Sequence, residues 1–259
     1  MAKAGEMSLT FGSLFAGIGG FDLGLERAGM VCKWQVEIDP FCRKVLAKHW
    51  PDVVRYEDVR EVGEHNLEAV DVICGGFPCQ DISYTGKGAG IAEGTRSGLW
   101  FEYYRIICDL RPRYVVVENV AALLTRGMDV VLGDLAACGY DAEWDCIPAA
   151  TLGAPHRRDR LFIVAYRDGA GQLFRVGGRY LERVRSLRQW RETKYGFGSI
   201  SKALREGRLG DFSNVPRVVD GVPNSVDRNK ALGNAVVPAI AQVIGMTIQN
   251  HTGGYGEET

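Results

Sequence analysis

Residues 9–28 read LTFGSLFAGIGGFDLGLERA, and this stretch decides the fold. Residues 9–15 form a short apolar run of the kind found in buried strands. A glycine-rich turn at residues 16–20 ends the run, and residues 21–28 then carry apolar side chains at helical spacing, with Gly29 as a stop signal. The stretch therefore predicts a strand, a glycine turn and a helix.

The alternation of strand and helix patterns continues along the chain. Strand-like runs occur at residues 31–36, 70–74, 114–117 and 161–165, and helical spacing occurs at residues 40–50, 99–110 and 130–137. Strands that alternate with helices predict an α/β fold with a doubly wound, mostly parallel sheet and helices on both faces.

The pattern divides the chain into three parts. Residues 1–165 are predicted to form the main α/β domain. Glycines and arginines interrupt any period in residues 166–216, which predicts a small second lobe or an extended insert. Residues 217–259 contain a helical pattern at 229–249 that we expect to pack back on the sheet.

Length and composition are those of an ordinary globular protein, with 259 residues, 46% hydrophobic and 24% charged positions. No apolar run approaches the roughly 18 residues that a membrane span needs, and residues 1–8 lack a signal-peptide pattern, so a cytoplasmic protein is expected. The seven cysteines include no CxxC pair. They predict reduced thiols, with neither a disulfide framework nor a metal site.

The net charge of −1 conceals a basic segment. Residues 166–210 contain 11 Arg or Lys against four acids, which is +7 locally and leaves −8 for the remainder. A concentrated basic segment on an otherwise acidic protein is typical of phosphate contacts with a nucleic acid, and a solvated basic loop is the alternative interpretation.

The glycine turn and two acidic residues indicate a cofactor site. Glycines let a ligand approach the backbone closely, although a purely structural turn is the alternative because the full G-x-G-x-x-G pattern is absent. Glu37 ends the second strand, where a carboxylate can accept hydrogen bonds from both ribose hydroxyls of a nucleoside. Asp58 can face an adenine amino group or simply cap a turn.

Residues 71–83, DVICGGFPCQDIS, place Cys79 just past a strand end in a rigid glycine and proline loop. A cysteine in such a loop can gain thiolate character from nearby N–H groups or cations, whereas Cys74 inside the strand is expected to fill the core. At the end of another strand lie Glu118 and Asn119, on the same sheet edge as Cys79 if the strands are parallel.

These residues together resemble the cytosine-5 DNA methyltransferases, over roughly residues 9–165 and 217–245. The glycine turn is similar to that family's S-adenosylmethionine turn, Pro78-Cys79-Gln80 to its nucleophile motif, and Glu118-Asn119-Val120 to its cytosine-holding motif. Arg158 and Arg160 match its pair of arginines beside the target base, and residues 233–238, GNAVVP, resemble its last motif.

The resemblance implies a Rossmann-like methyltransferase fold with a small target-recognition lobe, and it assigns roles to residues. Catalytic residues would be Cys79, Glu118, Arg158 and Arg160. The S-adenosyl-L-methionine site would contain Phe15, Ala16, Gly17, Ile18, Gly19, Glu37, Ile38, Asp58, Val59, Pro78, Asn234 and Val236. Substrate would be bound by Gln80, Ser83, Asn119, Arg183 and Arg185.

The implied reaction is methyl transfer to C5 of cytosine in double-stranded DNA, through a covalent Cys79 adduct with a flipped-out base. The loop at residues 86–95 would close over that base. No metal or membrane is implied, and a monomeric prokaryotic or phage-type enzyme of the restriction-modification kind is expected.

Residues 166–216 are fewer than the family commonly uses for target recognition. A short site, loose recognition or dependence on a partner protein are the consequences we consider. Two other functions stay open. One is an RNA (tRNA) cytosine-5 methyltransferase with the same motifs, and the other is a catalytically silent nucleic-acid-binding member, which need not retain Cys79, Glu118, Arg160 and Asn234 together.

Overall fold

The computed structural model describes residues 8–79, 91, 97–149, 159–167 and 235–253. These residues contain seven strands and five α-helices. The strands are β1 (Thr10–Leu14), β2 (Val31–Val36), β3 (Val54–Tyr56), β4 (Val72–Gly75), β5 (Tyr114–Val120), β6 (Tyr140–Pro148) and β7 (Asp159–Arg167). The helices are α1 (Gly20–Arg27), α2 (Pro40–His49), α3 (Trp100–Leu110), α4 (Met128–Ala137) and α5 (Pro238–Gly253).

The seven strands form one sheet in the order β3-β2-β1-β4-β5-β7-β6. Strands β1 to β5 are parallel to one another, and β7 runs antiparallel to both β5 and β6. The chain winds outward from β1 in both directions, so the doubly wound, mostly parallel α/β fold predicted from the sequence is confirmed.

Each face of the sheet is covered by helices. On one face, Phe21 of α1 and Ile240 of α5 pack with apolar residues of the central strands. On the other face, Trp100 of α3 and Leu135 of α4 do the same. All four side chains are almost fully buried, which is the three-layer arrangement that alternating strands and helices require.

Two glycines let α1 and α5 pack closely. A Cβ atom on Gly24 would lie 2.4 Å from the carbonyl oxygen of Pro238, and one on Gly245 would lie 2.9 Å from Cδ2 of Leu25. Neither contact is sterically possible for a larger residue without movement. This close packing carries the start of α5 to the glycine turn that precedes α1.

Strands β3 and β6 were not predicted as strands. Strand β6 lies at the sheet edge and alternates apolar residues with Asp141, Glu143 and Asp145. An edge strand buries one side only, so its apolar content is low and its signal is weak. The antiparallel direction of β7 is likewise a result of long-range pairing with β5.

The expectation of reduced thiols was wrong for one pair. Cys108 of α3 and Cys138 at the end of α4 form a disulfide, with Cα atoms 6.0 Å apart. The two residues are separated by 30 positions in sequence, and only the packing of α3 beside α4 brings them together. None of the helices in the described part of the chain combines the length and the hydropathy of a membrane span.

Candidate active site

The glycine loop joins β1 to α1 at the carboxyl edge of the sheet. Phe15 and Gly17 both adopt left-handed backbone conformations, with φ of 52° and 58°. The N–H of Ala16 donates to the carbonyl of Val36 at 3.1 Å, which fastens the loop to β2. A Cβ atom on Gly17 would meet nothing within 4 Å. The backbone at Gly17 is therefore open to a ligand. The left-handed conformation of Phe15, which is strained for a residue with a side chain, belongs to the same loop.

The Glu37 carboxylate lies directly beside this loop. Its Oε2 accepts a hydrogen bond from the N–H of Gly17 at 2.7 Å, and its Oε1 accepts one from the N–H of Asp39 at 2.8 Å. Burial raises the pKa of Glu37, whereas the two N–H donors lower it. Each oxygen retains a lone pair for another donor, and the neighbouring Ile38 is 63% exposed.

The segment after β2 is fixed by the start of α2. Asp39 caps the helix by accepting from the N–H of Phe41 at 2.9 Å, and Pro40 occupies the first turn. Arg43 donates to the carbonyls of Glu37 and Ile38 at 3.3 and 3.1 Å. Glu37 therefore projects from a rigid backbone.

Asp58 lies after β3, next to the same edge. The N–H of Glu37 donates to the carbonyl of Tyr56 at 3.1 Å, so the ends of β2 and β3 are joined. Asp58 caps the 3-10 turn that begins at Val59 and pairs with the guanidinium of Arg60. Hydrogen bonding to Arg60 lowers the pKa of Asp58. The capping role considered for Asp58 is thus present.

The C-terminal segment reaches the glycine loop through Val236. A Cβ atom on Gly20 would lie 2.4 Å from the carbonyl oxygen of Val236. Only a glycine at this position allows the two backbones to approach so closely. The structure therefore brings Val236 together with the loop that its sequence motif was expected to complete.

The Cys79 loop follows β4 and is held from both sides. Phe77 is buried against Trp100, with ring centroids 5.4 Å apart. Nδ2 of Asn119 donates to the carbonyl of Phe77 at 3.1 Å, and its Oδ1 accepts from the N–H of Val120 at 2.8 Å. Asn119 is 2% exposed, so its amide binds the backbone of the loop that carries the half-buried thiol of Cys79.

Glu118 and Arg160 form an ion pair beside this loop. Strand β7 places Arg160 opposite Val120, diagonal to Glu118 on the same face of the sheet. The Nε of Arg160 lies 3.0 Å from Oε1 of Glu118. A Cβ atom on Gly76 would lie 2.6 Å from Oε2 of Glu118, so the carboxylate lies against the backbone three residues before Cys79.

Parallel pairing of β4 with β5 therefore brings Cys79, which follows β4, and Glu118, which lies near the end of β5, to one sheet edge, as predicted for parallel strands. The ion pair between Glu118 and Arg160 was not predicted. Several predicted site residues lie outside the described part of the chain: Gln80, Ser83, Arg158, Arg183, Arg185 and Asn234. Within the described residues, no group of three or more His, Cys, Asp or Glu is placed to hold a metal ion.

The sequence of this chain matches that of a known protein family over most of the residues that form the site. The sequence model of the family described as C-5 cytosine-specific DNA methylase matches residues 9–195. The chain belongs to this family. The matched residues include the glycine loop, Glu37, Cys79, Glu118 and Arg160.

Two relatives that match this chain are longer than it is. It is 35% identical over 161 residues to the Type II methyltransferase M2.BsuMI of Bacillus subtilis, covering 59% of this chain and 41% of that protein. It is also 35% identical over 210 residues to the Type II methyltransferase M.Eco47II of Escherichia coli, covering 78% of this chain and 47% of that protein. The chain thus spans less than half the length of either relative.

A solved structure agrees with the fold. The methyltransferase EhMeth of Entamoeba histolytica superimposes with a TM-score of 0.64 and covers 95% of this chain and 99% of that one. The sequence identity is 16%, so this likeness concerns the fold alone.

Proposed function

We propose that this chain transfers a methyl group from S-adenosyl-L-methionine to C5 of cytosine in double-stranded DNA, with the Cys79 thiol as nucleophile. One observation carries the proposal. The Cys79 loop, the Glu118–Arg160 ion pair and the loop that binds Glu37 lie at the same edge of the sheet. A nucleophile, an acid and a nucleoside site are thereby available to one substrate.

The residues around Glu37 fit the cofactor by their chemistry. The Glu37 carboxylate has acceptor capacity for ribose hydroxyls, Ile38 offers an exposed apolar surface to the adenine, and the open side of Gly17 leaves room for a close approach. We assign the remainder of the site to Asp58, Val59, Pro78, Val236 and, outside the described residues, Asn234. S-adenosyl-L-methionine supplies an electrophilic methyl group on a sulfonium.

The catalytic residues act on the cytosine ring. Cytosine C5 is a poor nucleophile, so the Cys79 thiolate first forms a bond to C6 and the electron pair of the C5–C6 double bond moves toward C5. Glu118 holds or protonates N3 and so stabilises the charge that develops on the ring. Arg160 keeps the Glu118 carboxylate in place. After methylation, a solvent base removes the C5 proton, and the electron pair of that C–H bond forms the C5–C6 double bond as the Cys79 sulfur leaves C6 as a thiolate. The proton on N3 returns to Glu118, which restores the aromatic ring.

Most of the residues assigned to DNA contacts lie outside the described part of the chain, apart from Tyr166 and Arg167 at the end of β7. We propose that residues 166–216 form the small target-recognition region, in which Arg183 and Arg185 reach phosphates or guanine edges. Gln80, Ser83 and Arg158 are assigned to the flipped-out cytosine. The Type II methyltransferases among the relatives favour a role in DNA modification of the restriction-modification kind.

The test is nucleoside mass spectrometry on unmodified DNA and on tRNA, each incubated with the protein and S-adenosyl-L-methionine. We expect 5-methylcytosine in DNA with the intact protein and none with Cys79→Ser, because a hydroxyl is far less nucleophilic than a thiolate at neutral pH. Cofactor binding by Cys79→Ser should stay within about twofold of the wild type, because the thiol lies outside the nucleoside site. Turnover by that variant would remove the nucleophile assignment.

The other outcomes separate the competing functions. Product in tRNA alone would replace the proposal with an RNA cytosine-5 methyltransferase. Product in neither nucleic acid, from a protein that still binds both cofactor and DNA, would favour a silent nucleic-acid-binding member or a missing partner.

A further inference from the structure

Asp22 is a buried carboxylate that the proposed chemistry does not use. It lies in the first turn of α1 and is 0% exposed. Its Oδ1 accepts from Nε2 of Gln35 at 2.8 Å and contacts Sγ of Cys32 at 3.6 Å, and its Oδ2 accepts from Oγ of Ser13 at 3.2 Å. Burial raises the pKa of Asp22 to about 6 even with these donors. Burying an acidic side chain costs free energy, so the presence of Asp22 at this position calls for an explanation other than stability of the fold.

The partners of Asp22 lie immediately before the ends of two strands. Ser13 on β1 precedes Phe15 of the glycine loop by two residues, and Gln35 on β2 precedes Glu37 by two residues. Asp22 itself follows the glycine loop on α1. The carboxylate therefore joins the three elements from which the loop and Glu37 project.

The network extends to the next strand. Nη1 of Arg55 on β3 donates to Oε1 of Gln35 at 3.4 Å, and the same guanidinium bonds the carbonyls of Trp50 and Pro51. Arg55 precedes Asp58 by three residues. The hydrogen bonds from Ser13 through Asp22 and Gln35 to Arg55 thus connect α1 with β1, β2 and β3, the strands that lead to the residues assigned to the cofactor.

We propose that Asp22 is a positioning residue for the cofactor, which sets the contact between the Gly17 N–H and the Glu37 carboxylate by fastening α1 to β1 and β2. This inference rests on the proposed function, which assigns that contact to S-adenosyl-L-methionine. Removal of the carboxylate leaves the strands paired but lets the loop and Glu37 move relative to each other. Preorganised polar groups bind more tightly than mobile ones. Loss of the Asp22 carboxylate therefore lowers the affinity for the cofactor more than it lowers kcat.

Three variants of the full chain test the proposal. Asp22→Asn keeps the shape and removes the charge, and Gln35→Met keeps the length and removes the donor and acceptor. Leu25→Val is the matched control, because Leu25 is a fully buried residue of the same helix that packs against α5 and carries no side-chain hydrogen-bonding group. The measurements are the dissociation constant of S-adenosylhomocysteine by titration calorimetry, the melting temperature, and kcat and KM for S-adenosyl-L-methionine on DNA.

We expect Asp22→Asn and Gln35→Met to raise the dissociation constant and KM by roughly tenfold, as the loss of a buried hydrogen-bond partner does, with kcat at saturating cofactor within about threefold. Leu25→Val should lower the melting temperature and leave the dissociation constant within about twofold. An unchanged dissociation constant in Asp22→Asn, or losses that follow the melting temperature in all three variants, would overturn the inference. If Asp22→Asn does not fold, Gln35→Met decides by the same criteria.

The proposed function can fail separately. A wild-type protein that does not bind S-adenosylhomocysteine removes the cofactor assignment and this inference with it. A wild type that binds, together with an Asp22→Asn variant that binds equally well, removes the inference alone.

Discussion

The position of the Glu118 carboxylate depends on the absence of a side chain at Gly76. The carboxylate lies between the backbone of Gly76 and the guanidinium of Arg160, and a Cβ atom on Gly76 would lie 2.6 Å from Oε2. The ion pair holds one oxygen from the β7 side, so the carboxylate cannot retreat without breaking that pair. Gly76 therefore determines how closely the acid approaches the Cys79 loop.

Gly76→Ala should lower methyl transfer more than it lowers binding. A displacement of about 1 Å in a catalytic group can reduce the rate roughly a hundredfold, so we expect kcat to fall between about tenfold and a hundredfold. The dissociation constant of S-adenosylhomocysteine should change less than about twofold, because the three atoms nearest to a Cβ on Gly76 all belong to Glu118. Single-turnover rates and calorimetry would measure the two effects.

Gly133→Ala is the control for this substitution. Gly133 lies inside α4, where a Cβ atom would meet nothing within 4 Å. Alanine is favoured over glycine inside a helix by up to about 1 kcal/mol, so this variant should be as active as the wild type and no less stable. Equal rates for Gly76→Ala and the wild type would show that Glu118 need not lie where it does.

Glu37→Ala should act on the cofactor alone. Hydrogen bonds to a charged group contribute about 1.5–3 kcal/mol, so we expect the dissociation constant of S-adenosylhomocysteine to rise by about tenfold to a hundredfold. The neighbouring Glu57→Ala removes a carboxylate that is 71% exposed and paired with Arg43, and it should have little effect. An unchanged dissociation constant in Glu37→Ala would exclude Glu37 from the ribose site.

At the scale of the elements, α3 supports the segment that follows β3. Nη2 of Arg105 donates to the carbonyls of Val59 and Val62 at 3.2 and 2.7 Å. The same side chain pairs with Glu102 and Asp109 on its own helix. A helix on one face of the sheet thereby fixes a turn assigned to the adenine of the cofactor.

Arg105→Met should weaken cofactor binding without removing it. Methionine preserves most of the apolar stem and deletes the donors to both carbonyls, so the turn at Val59 is left without its support. We expect the dissociation constant of S-adenosylhomocysteine to rise about fivefold, which corresponds to the net value of one hydrogen bond. Glu102→Gln removes only a surface ion pair and should leave binding unchanged; similar losses in both variants would show that the helix, not the contact, matters.

The elements that the sequence predicted are those with strong apolar periodicity. Strands β1, β2, β4, β5 and β7 and the five helices follow from such patterns, because their buried sides impose a regular spacing. The last helix begins at Pro238 and ends at Gly253, later at both ends than the pattern at residues 229–249 predicted. Strand β6 was missed because one of its sides is polar. The disulfide between Cys108 and Cys138 was missed because helix packing, and no local signal, brings the two residues together.

In the site as well, local sequence patterns predicted some features, and long-range packing determined the others. Cys79 and Glu37 follow strands and Glu118 lies near the end of one, so the predicted parallel direction of the strands was enough to place Cys79 and Glu118 on one sheet edge. The Glu118–Arg160 pair depends on the direction of β7, which the sequence does not specify. One feature of the sequence pointed to Asp22: it lies with Phe21 and Leu25 among the core-facing residues of α1. A charged residue in such a position has to have polar partners.

At the scale of the whole molecule, Asp22 reduces stability at the pH at which the protein is expected to work. Its pKa is raised from 3.8 to about 6 by burial, so between these values the folded state holds a proton that the unfolded state has released. Stability therefore falls as the pH rises from about 4 to about 6 and then levels off. A residue that opposes folding at neutral pH is more easily explained by function than by structure.

This linkage can be measured by comparing the wild type with Asp22→Asn. The difference in their free energies of unfolding isolates Asp22, because the other titrating groups are shared. We expect the wild type to lose about 2 kcal/mol relative to Asp22→Asn between pH 4.5 and pH 7.5, measured by denaturant unfolding at each pH. The difference between the wild type and Leu25→Val should instead be independent of pH. A flat difference for Asp22→Asn would mean that the carboxylate keeps its ordinary pKa, and that its hydrogen bonds to Ser13 and Gln35 fully offset its burial.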